Sequence, residues 1–499
     1  MILFSISLIF LLLYIIFNKS AKANNILGVL AFIFICFVYV VLVTNSTKPE
    51  FFYPKKQLQI YPFTGNYYNW LTINLTKFKL DLGIDEQFIN DLTNNIDKSL
   101  LKADKVDISV KMLYDTSIYK NKVYLYFGLT PVILFYLPFY LATKYFISDH
   151  IIVLILSIFI FLLHILIYRK ILNLLNRQNY FTVIPILIFG LASGIVLTYV
   201  SITIHLIPIL TSVFCSLTAL YVFLLLSDAK YKNLKMFLIG LFLALAIGAR
   251  PISIILAIFI FIAILIMDSK KYIYNFSKFQ NFQSSNLIKK YLCFFVPLII
   301  YGIILALYNY FRFDSIFNFG YTYQFSPIYQ KGFAQNLNHS LIDFIKHIFL
   351  NLFHLPVFTS INPLCVFKNY ENVSYFEPMI GGFIIYPIVI FILFIKNFLT
   401  KTSKKNKNIH VLFIIMLSVG FIYFLINSYI GSNARFVAEY LSLLLVPSLV
   451  LFYNLIEIVN NDILKNIIKF LFLCFIIFSL YVNTNLINCI ILMSKNGLI

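Results

Sequence analysis

The chain has 499 residues, of which 61% are hydrophobic and only 12% are charged, and its formal net charge is +20. A soluble protein of this length carries roughly twice that share of charged residues, so a soluble globular enzyme is excluded. Most lysines flank apolar runs, as residues that set membrane topology do, and the basic balance therefore does not indicate nucleic-acid binding. The six cysteines form no CxxC pair, so the sequence indicates neither a disulfide framework nor a zinc site.

Apolar runs long enough to cross a bilayer as helices follow one another along the chain. They do not alternate in polarity, which excludes a barrel of strands. We therefore predict an all-α integral membrane protein, a polytopic bundle of about 11–13 transmembrane helices in a single membrane domain over residues 1–499. The predicted helices cover residues 2–17, 26–44, 124–146, 150–168, 180–200, 204–226, 236–249, 251–267, 291–309, 378–396, 409–430, 436–457 and 466–488.

Two long polar segments interrupt the helices, over residues 45–122 and 310–377. Short basic loops are expected in the cytoplasm, and counting passes from them places both long segments outside. The turn at 248–251 and residues 431–435 fall outside by the same count. The second long segment contains an apolar stretch, residues 345–357, which we expect along the membrane surface.

The count of passes does not close at one place. Two predicted helices (124–146 and 150–168) lie between the first outer segment and the basic loop 169–177, where an odd number of passes is required. Either one of the two is a partial or re-entrant helix, or the basic loop breaks the positive-inside rule. The sequence leaves both possibilities open.

Three arginines are candidates for an anion site, in a chain that has five arginines and 34 lysines. Arg250, Arg312 and Arg435 each stand at the mouth of an apolar run that opens on the predicted outer face. A guanidinium grips phosphate or carboxylate with two hydrogen bonds, which lysine does not do. Alternatives stay open: Arg250 as a snorkelling residue, Arg312 in an outer loop held by an ion pair with Asp314, and Arg435 paired with Glu439 one helical turn on.

The densest polar pattern is residues 113–141, LYDTSIYKNKVYLYFGLTPVILFYLPFYL. Asp115 stands at an apolar boundary, where partial desolvation raises the basicity of a carboxylate, so it is a candidate general base. Ser117 and the tyrosines that follow it offer hydroxyl donors and stacking faces of the kind that bind sugars. An interfacial aromatic belt with a helix-capping acid is the alternative.

This segment resembles the acid–Ser–Tyr, Tyr-x-Tyr-Phe-Gly, Pro signature of bacterial GT-C membrane glycosyltransferases related to protein O-mannosyltransferases and aminoarabinose transferases. Residues 66–82, the GARP turn at 248–251, and the pair 308–325 and 434–449 resemble the same branch, in the expected order. His205 stands where that pattern leads us to expect a carboxylate. No Asp-x-Asp occurs, which argues against a metal-dependent nucleotide-sugar enzyme and against the oligosaccharyltransferase branch.

The resemblance implies a lipid-linked sugar donor, inversion at the anomeric carbon and an outward-facing active site in a multi-pass protein of the bacterial inner (cytoplasmic) membrane. By position, Asp115 is the base. Arg250, Arg312 and Arg435 suit the phosphate of a polyprenyl-phosphate sugar, whose leaving-group charge needs cations already in place. The expected partners are membrane lipids, that donor and an unidentified extracytoplasmic acceptor, with no metal, no cofactor and no nucleic acid. The predicted sugar and acceptor pocket comprises Tyr67, Tyr68, Ser117, Tyr119, Tyr124, Tyr126 and Glu439.

Other functional classes stay open at this point. Transporters and flippases of lipid-linked glycans tend to carry repeats and broken helices around a midplane site, whereas this chain gathers its polar residues at one outer face. Glycan polymerases and ligases typically place their large outer loop late, and here the larger one comes early. A scaffold without catalytic activity is the third alternative.

Overall fold

The computed structural model describes residues 2–17, 21–45, 52–53, 67–84, 86–87, 89, 116–177, 182–199, 205–227, 230–274, 284–325, 340–355, 357–358, 365–366, 379–401 and 407–495. The predicted base, Asp115, lies outside the described residues, as does most of the first long segment, 45–122.

Helices dominate the described part of the chain. Those of four or more residues are α1 (Ile2–Phe17), α2 (Ala21–Asn45), α3 (Tyr67–Leu75), α4 (Leu137–Thr143), α5 (Asp149–Leu174), α6 (Val183–Leu191), α7 (Ile195–Thr198), α8 (Leu206–Leu224), α9 (Lys232–Ala249), α10 (Ile254–Tyr274), α11 (Ser284–Phe313), α12 (Leu341–Phe353), α13 (Gly382–Ile385), α14 (Ile395–Lys401), α15 (Lys407–Ile430), α16 (Ala434–Ile458) and α17 (Asp462–Lys495). A π-helical turn, Val132–Tyr136, leads into α4, and 3-10 helices at Pro251–Ser253 and Pro387–Phe394 lead into α10 and α14.

Within the described ranges, nine helices are long and apolar enough to cross a membrane: α2, α5, α8 to α11 and α15 to α17. Four shorter apolar helices accompany them, at Leu3–Ile16, Val132–Thr143, Val183–Thr198 and Pro387–Leu399. The prediction of an all-α polytopic membrane protein is confirmed.

The predicted helix over 124–146 is wrong, and in the described chain only one long apolar helix, α5, lies between the first outer segment and the basic loop 169–177. The chain is a strand as far as Leu125, and the helix that follows covers only Val132–Thr143. At about 1.5 Å per residue this helix is roughly 18 Å long, too short for a hydrocarbon core of about 30 Å. Lys144 ends it with a left-handed backbone (φ 62°). The partial-helix alternative is therefore the one observed.

Two further predicted helices are broken. The run 180–200 forms α6 and α7, which are separated at Gly194, where φ is +76°. A Cβ atom at Gly194 would lie 3.0 Å from the Cα atom of Ala438, so the break lets this run approach the backbone of α16 closely. The run 378–396 forms α13 and the 3-10 helix Pro387–Phe394 instead of one span.

Buried and partly buried ion pairs lie at the two ends of the bundle. At one end Glu439 of α16 pairs with Arg250, and at the other end Glu457 of the same helix pairs with Arg177. The two glutamates lie roughly 27 Å apart along α16, close to the thickness of a bilayer core. At the Glu457 end, the Lys290 Nζ atom of α11 lies 2.6 Å from the Asp268 Oδ2 atom of α10. These pairings agree with the predicted sidedness, and which end faces outward stays a prediction.

Short strands lie at the Arg250 end of the bundle. They are β1 (Phe52–Tyr53), β2 (Thr116–Tyr119), β3 (Lys122–Leu125), β4 (Phe146–Ile147), β5 (Gln324–Phe325), β6 (Val357–Phe358) and β7 (Cys365–Val366). β2 lies between β3 and β5, antiparallel to both, and Thr116 pairs with Leu125 and with Phe325. Lys120 and Asn121 connect β2 to β3 with positive φ of 47° and 58°, as a type I′ hairpin turn requires. β1 pairs with β4, so the chain beyond α2 meets the start of α5.

Candidate functional site

A buried group of polar side chains forms where three helices reach the same end of the bundle. Arg250 directly follows α9, Asn427 lies in the last turn of α15, and Glu439 lies in the second turn of α16. The Arg250 Nη1 atom lies 3.4 Å from the Glu439 Oε2 atom, and Asn427 Nδ2 donates a 3.0 Å hydrogen bond to the same oxygen. These three residues are called the Arg250 cluster below.

The Arg250 cluster is deeply buried for a charged group. The Glu439 side chain is 0% exposed and the Arg250 side chain 18% exposed. Glu439 Oε1 and Asn427 Oδ1 are buried and have no hydrogen-bond partner within the described part of the chain. Since buried polar atoms are nearly always hydrogen-bonded, such exceptions call for an explanation, and a functional site is one.

The Arg250 guanidinium is only partly engaged. Its Cζ atom lies 5.8 Å from the ring centre of Phe436, and Nη1 faces Glu439. Its Nε and Nη2 atoms form no hydrogen bond with any residue that the structure describes. No described residue engages these two donors, which have the geometry that binds an anion through two oxygens.

The turn after the β2–β3 hairpin packs directly against the end of α9. A Cβ atom at Gly128 would lie 1.9 Å from the carbonyl oxygen of Gly248, and one at Gly248 would lie 2.6 Å from the hydroxyl oxygen of Thr130. Only glycine fits where two backbones touch in this way. This contact places the tyrosine-rich segment beside Arg250. The ring of His205, at the start of α8, meets Phe127 edge-on at 4.8 Å, so His205 lies at the same end.

Arg312 holds the hairpin in place. It is 3% exposed, and its Nη1 atom donates a 2.7 Å hydrogen bond to the carbonyl oxygen of Leu125. Its Nη2 atom donates to Asn309 Oδ1 at 2.7 Å, and its Cζ atom lies 3.8 Å from the ring centre of Tyr308. The alternative of an ion pair between Arg312 and Asp314 is not formed, since Asp314 pairs with Lys120. The role of Arg312 in phosphate binding stays a prediction, while its observed contacts fasten β3 to α11.

Asp314 binds the hairpin turn instead. Its carboxylate accepts hydrogen bonds from Lys120 Nζ at 2.5 Å and from the Tyr119 hydroxyl at 2.8 Å. These donors lower the pKa of Asp314, and the same contact raises the pKa of the Tyr119 hydroxyl. Both ends of the ion pair are more than half exposed, so it forms a solvated rim around the hairpin.

Arg435 is buried at the start of α16, with 6% of its surface exposed. Asn433 caps this helix: its Oδ1 atom accepts from the Arg435 backbone N–H at 2.8 Å and from Arg435 Nε at 3.0 Å. Glu439 pairs with Arg250, so the alternative pairing of Arg435 with Glu439 is wrong. Arg435 still lies one turn before Glu439 on the same helix face.

The predicted pocket residues separate into two groups. Ser117 is buried, and its hydroxyl donates to the carbonyl oxygen of Gly320 at 2.9 Å, which ties β2 to the segment before β5. Tyr124 packs edge-on against Phe313 at 5.4 Å, and its burial raises its pKa. The ring of Tyr126, half-buried, lies 6.3 Å from that of Tyr321.

The second group lies on α3. Tyr68 is fully buried and stacks on Tyr136 at 5.1 Å, and the Tyr136 hydroxyl donates to Asp149 Oδ1 at 2.5 Å. Tyr67 precedes it with 9% of its surface exposed. In this arrangement Tyr68 is a core residue that fixes α3 against the π-helical turn Val132–Tyr136. Its contribution to a sugar pocket stays a prediction.

Several residues around Arg250 were not predicted from the sequence. Asn427 supplies the second donor to Glu439, and Ser253 bonds to Ser212 at 2.6 Å, which holds the turn after Arg250 against α8. Tyr423 lies within electrostatic range of Arg250 and Glu439. The available signal was a polar residue inside an apolar run, such as Asn427 in FLINSYI. No group of three or more potential metal ligands occurs among the described residues.

Comparisons with known proteins give a distant likeness to a solved structure. No protein-family model and no curated protein matches this chain. Among solved structures, the chain is similar to the oligosaccharyltransferase of Archaeoglobus fulgidus in its apo form, with 12% identity and a TM-score of 0.45 over 93% of this chain. The chain spans about half the length of that protein (56%).

Proposed function

We propose that this chain transfers one sugar from a polyprenyl-phosphate carrier to an acceptor outside the cytoplasm, with inversion at the anomeric carbon. The donor is the lipid-linked sugar, and the reaction needs no metal and no further cofactor. The site opens at the Arg250 end of the bundle, which we take to face outward. The proposal rests on the motif resemblance and on the geometry around Arg250.

The observation that carries the proposal is the half-buried Arg250 guanidinium, which Glu439 holds at 3.4 Å while Nε and Nη2 bind no residue of the described chain. An arginine within a membrane bundle is costly unless it has a partner or a task. Here the partner orients one nitrogen, and no residue of the described ranges engages the other two donors. A phosphate at the membrane surface is the anion that such a fork fits.

The reaction explains why a cation is needed there. The acceptor oxygen attacks the anomeric carbon, and the bond from that carbon to the phosphate oxygen breaks. The leaving polyprenyl phosphate gains one negative charge in this step, which a cation already in place stabilises in the transition state. Asp115 takes the proton of the acceptor hydroxyl. Asp115 directly precedes β2, whose hairpin leads to the Gly128 turn beside Arg250.

The test uses membranes from cells that express wild type, Asp115→Asn, Arg250→Lys or Arg177→Lys. Radiolabelled polyprenyl-phosphate sugars are supplied, and release of free polyprenyl phosphate is measured. We expect turnover in wild type, none above background in Asp115→Asn, and a loss of roughly 100-fold in Arg250→Lys. Arg177→Lys is the matched control, because Arg177 also pairs with a glutamate of α16 but at the opposite end.

Each other outcome has a defined meaning at equal protein levels. Equal turnover in wild type and Asp115→Asn removes Asp115 from catalysis. Equal losses in Arg250→Lys and Arg177→Lys remove Arg250 from the donor site and assign it a structural role. Absence of turnover in wild type with every donor supplied contradicts the proposal and favours a transporter.

A further inference from the structure

Helix α12 is amphipathic, with its polar face buried in the protein and its apolar face exposed, the reverse of a helix on a soluble protein. Its buried face carries His347, Asn351 and the following His354, all at most 3% exposed. Its outer face is apolar and exposed, at Leu341 (72%), Ile342 (66%), Ile345 (56%), Phe349 (63%) and Phe353 (38%). A helix on a water-soluble protein turns its apolar stripe inward. The surroundings of α12 are therefore not water on its outer side.

The polar face of α12 is hydrogen-bonded to the last turn of α15 and to the loop that joins α15 to α16. His347 Nδ1 lies 2.7 Å from Ser432 Oγ, and Asn351 Nδ2 donates to Ser428 Oγ at 2.9 Å. The Tyr440 hydroxyl, from α16, donates to the Asn351 carbonyl oxygen at 2.7 Å. These bonds fix which face of α12 points outward, since rotating the helix would break all of them.

The outer face of α12 continues the lipid-facing surface of a membrane span. Phe344 lies 6.1 Å, ring centre to ring centre, from Tyr429 of α15. Tyr429 is 45% exposed and Phe421, two turns earlier on the same span, 57% exposed. With 13 residues, α12 is roughly 20 Å long, too short to span. The exposed Lys346 on the same side has a stem long enough to reach lipid headgroups.

We infer that α12 lies in the membrane interface at the Arg250 end of the bundle, with its apolar face among lipid acyl chains. The bilayer then holds α12 from outside, while α12 holds the loop that joins Asn427 to Glu439. The sequence predicted an apolar stretch along the membrane surface. The inference adds which face of that stretch points to the lipid and which loop the helix holds in place. This inference does not depend on the chemistry proposed above.

The experiment uses the single tryptophan of the chain, Trp70. In a Trp70→Phe background, Phe349→Trp places the only fluorophore on the outer face of α12. Ile300→Trp is the matched lipid control, since Ile300 is 55% exposed within the span α11. The full-length proteins are reconstituted in phosphatidylcholine vesicles that carry bromine either near the headgroup or near the chain ends, and iodide serves as the aqueous quencher.

We expect bromine near the headgroup to quench Phe349→Trp several-fold more than bromine near the chain ends, with Ile300→Trp showing the opposite preference. Quenching of Phe349→Trp by iodide and by neither lipid would show that the face meets water, and would overturn the inference. Quenching by none of the three would show protein cover and would also overturn it. Ile345→Trp repeats the reading one turn earlier, should the first variant fail to fold.

Discussion

The charge pair in the Arg250 cluster should respond asymmetrically to the loss of either partner. Arg250→Met leaves the Glu439 carboxylate with no countercharge and no water, because that side chain is 0% exposed. Glu439→Gln leaves Arg250, whose side chain is 18% exposed and able to turn toward solvent. We therefore expect the arginine variant to lose more stability than the glutamate variant.

The magnitudes follow from the distance and the burial. Two unit charges 3.4 Å apart attract by about 5 kcal/mol at an effective dielectric constant of about 20. Desolvation of both groups offsets part of this, and breaking a buried pair from one side typically costs about 3–5 kcal/mol. We expect about that loss in the free energy of unfolding for Arg250→Met and about 1–2 kcal/mol for Glu439→Gln. The double variant should fall short of the sum by about 2 kcal/mol, since it leaves no lone charge.

Thermal unfolding of the purified wild type, the two single variants and the double variant, in one detergent and at one pH, gives the free energies needed for this double-mutant cycle. Arg177 and Glu457 provide the control cycle at the other end, with side chains 17% and 34% exposed. The two arginines are almost equally buried, but Glu457 is 34% exposed whereas Glu439 is 0% exposed, so we expect a smaller coupling in the control cycle. Equal losses from Arg250→Met and Glu439→Gln, or a double variant equal to the sum, would refute the reasoning.

Three further predictions concern the hairpin and its supports. Gly128→Ala forces a Cβ atom to 1.9 Å from a backbone oxygen and should lower the unfolding temperature and the folded yield, whereas Gly302→Ala, which meets nothing within 4 Å, should not. In Arg312→Lys a single ammonium group replaces the two guanidinium nitrogens that donate to Leu125 and Asn309. We expect the free energy of unfolding, measured by thermal unfolding, to fall by about 1–3 kcal/mol. The lowered pKa of Asp314 means that its tie to the hairpin turn persists below an ordinary aspartate pKa of about 3.9 and is lost as pH falls through the lowered value. Amide exchange in the hairpin should rise over that acidic range in wild type and show no such step in Asp314→Asn.

The helices were predictable because a run of apolar residues has one stable conformation in lipid. The breaks were not, because they depend on packing between distant segments. Gly194 interrupts its run where the backbone of α16 approaches, and apolar composition alone does not reveal that approach. The strand that ends at Leu125 likewise exists because Arg312 and β2 bind it. Local composition there reads as an uninterrupted apolar helix.

For the candidate site, the sequence predicted that Arg250 and Arg435 lie at one end of the bundle, and the structure brings both to the helix ends around Glu439. Whether that end is the functional one stays a prediction, and the alternative pair of Arg435 with Glu439 is not formed. Arg435 and Glu439 are four residues apart on one helix, which favours a local pair. The cap residue Asn433 takes the Arg435 side chain, and Glu439 is left for Arg250, far away in the sequence. Spacing rules describe neighbours on one helix, and they do not describe two helix ends that meet. Asn427 was missed for the same reason.

The burial of α16 bears on which parts of the molecule are able to move. Every residue from Ala434 to Ile456 except Leu444 is buried, and an ion pair holds the helix near each membrane surface. Sliding α16 along its axis, or tilting it, would break both pairs and shear its contacts on all sides. In the proposed sugar transfer we therefore expect α16 to stay in place. If the chain binds the proposed lipid-linked donor, we expect the displacements that admit it to occur in peripheral elements such as the β2–β3 hairpin and α12.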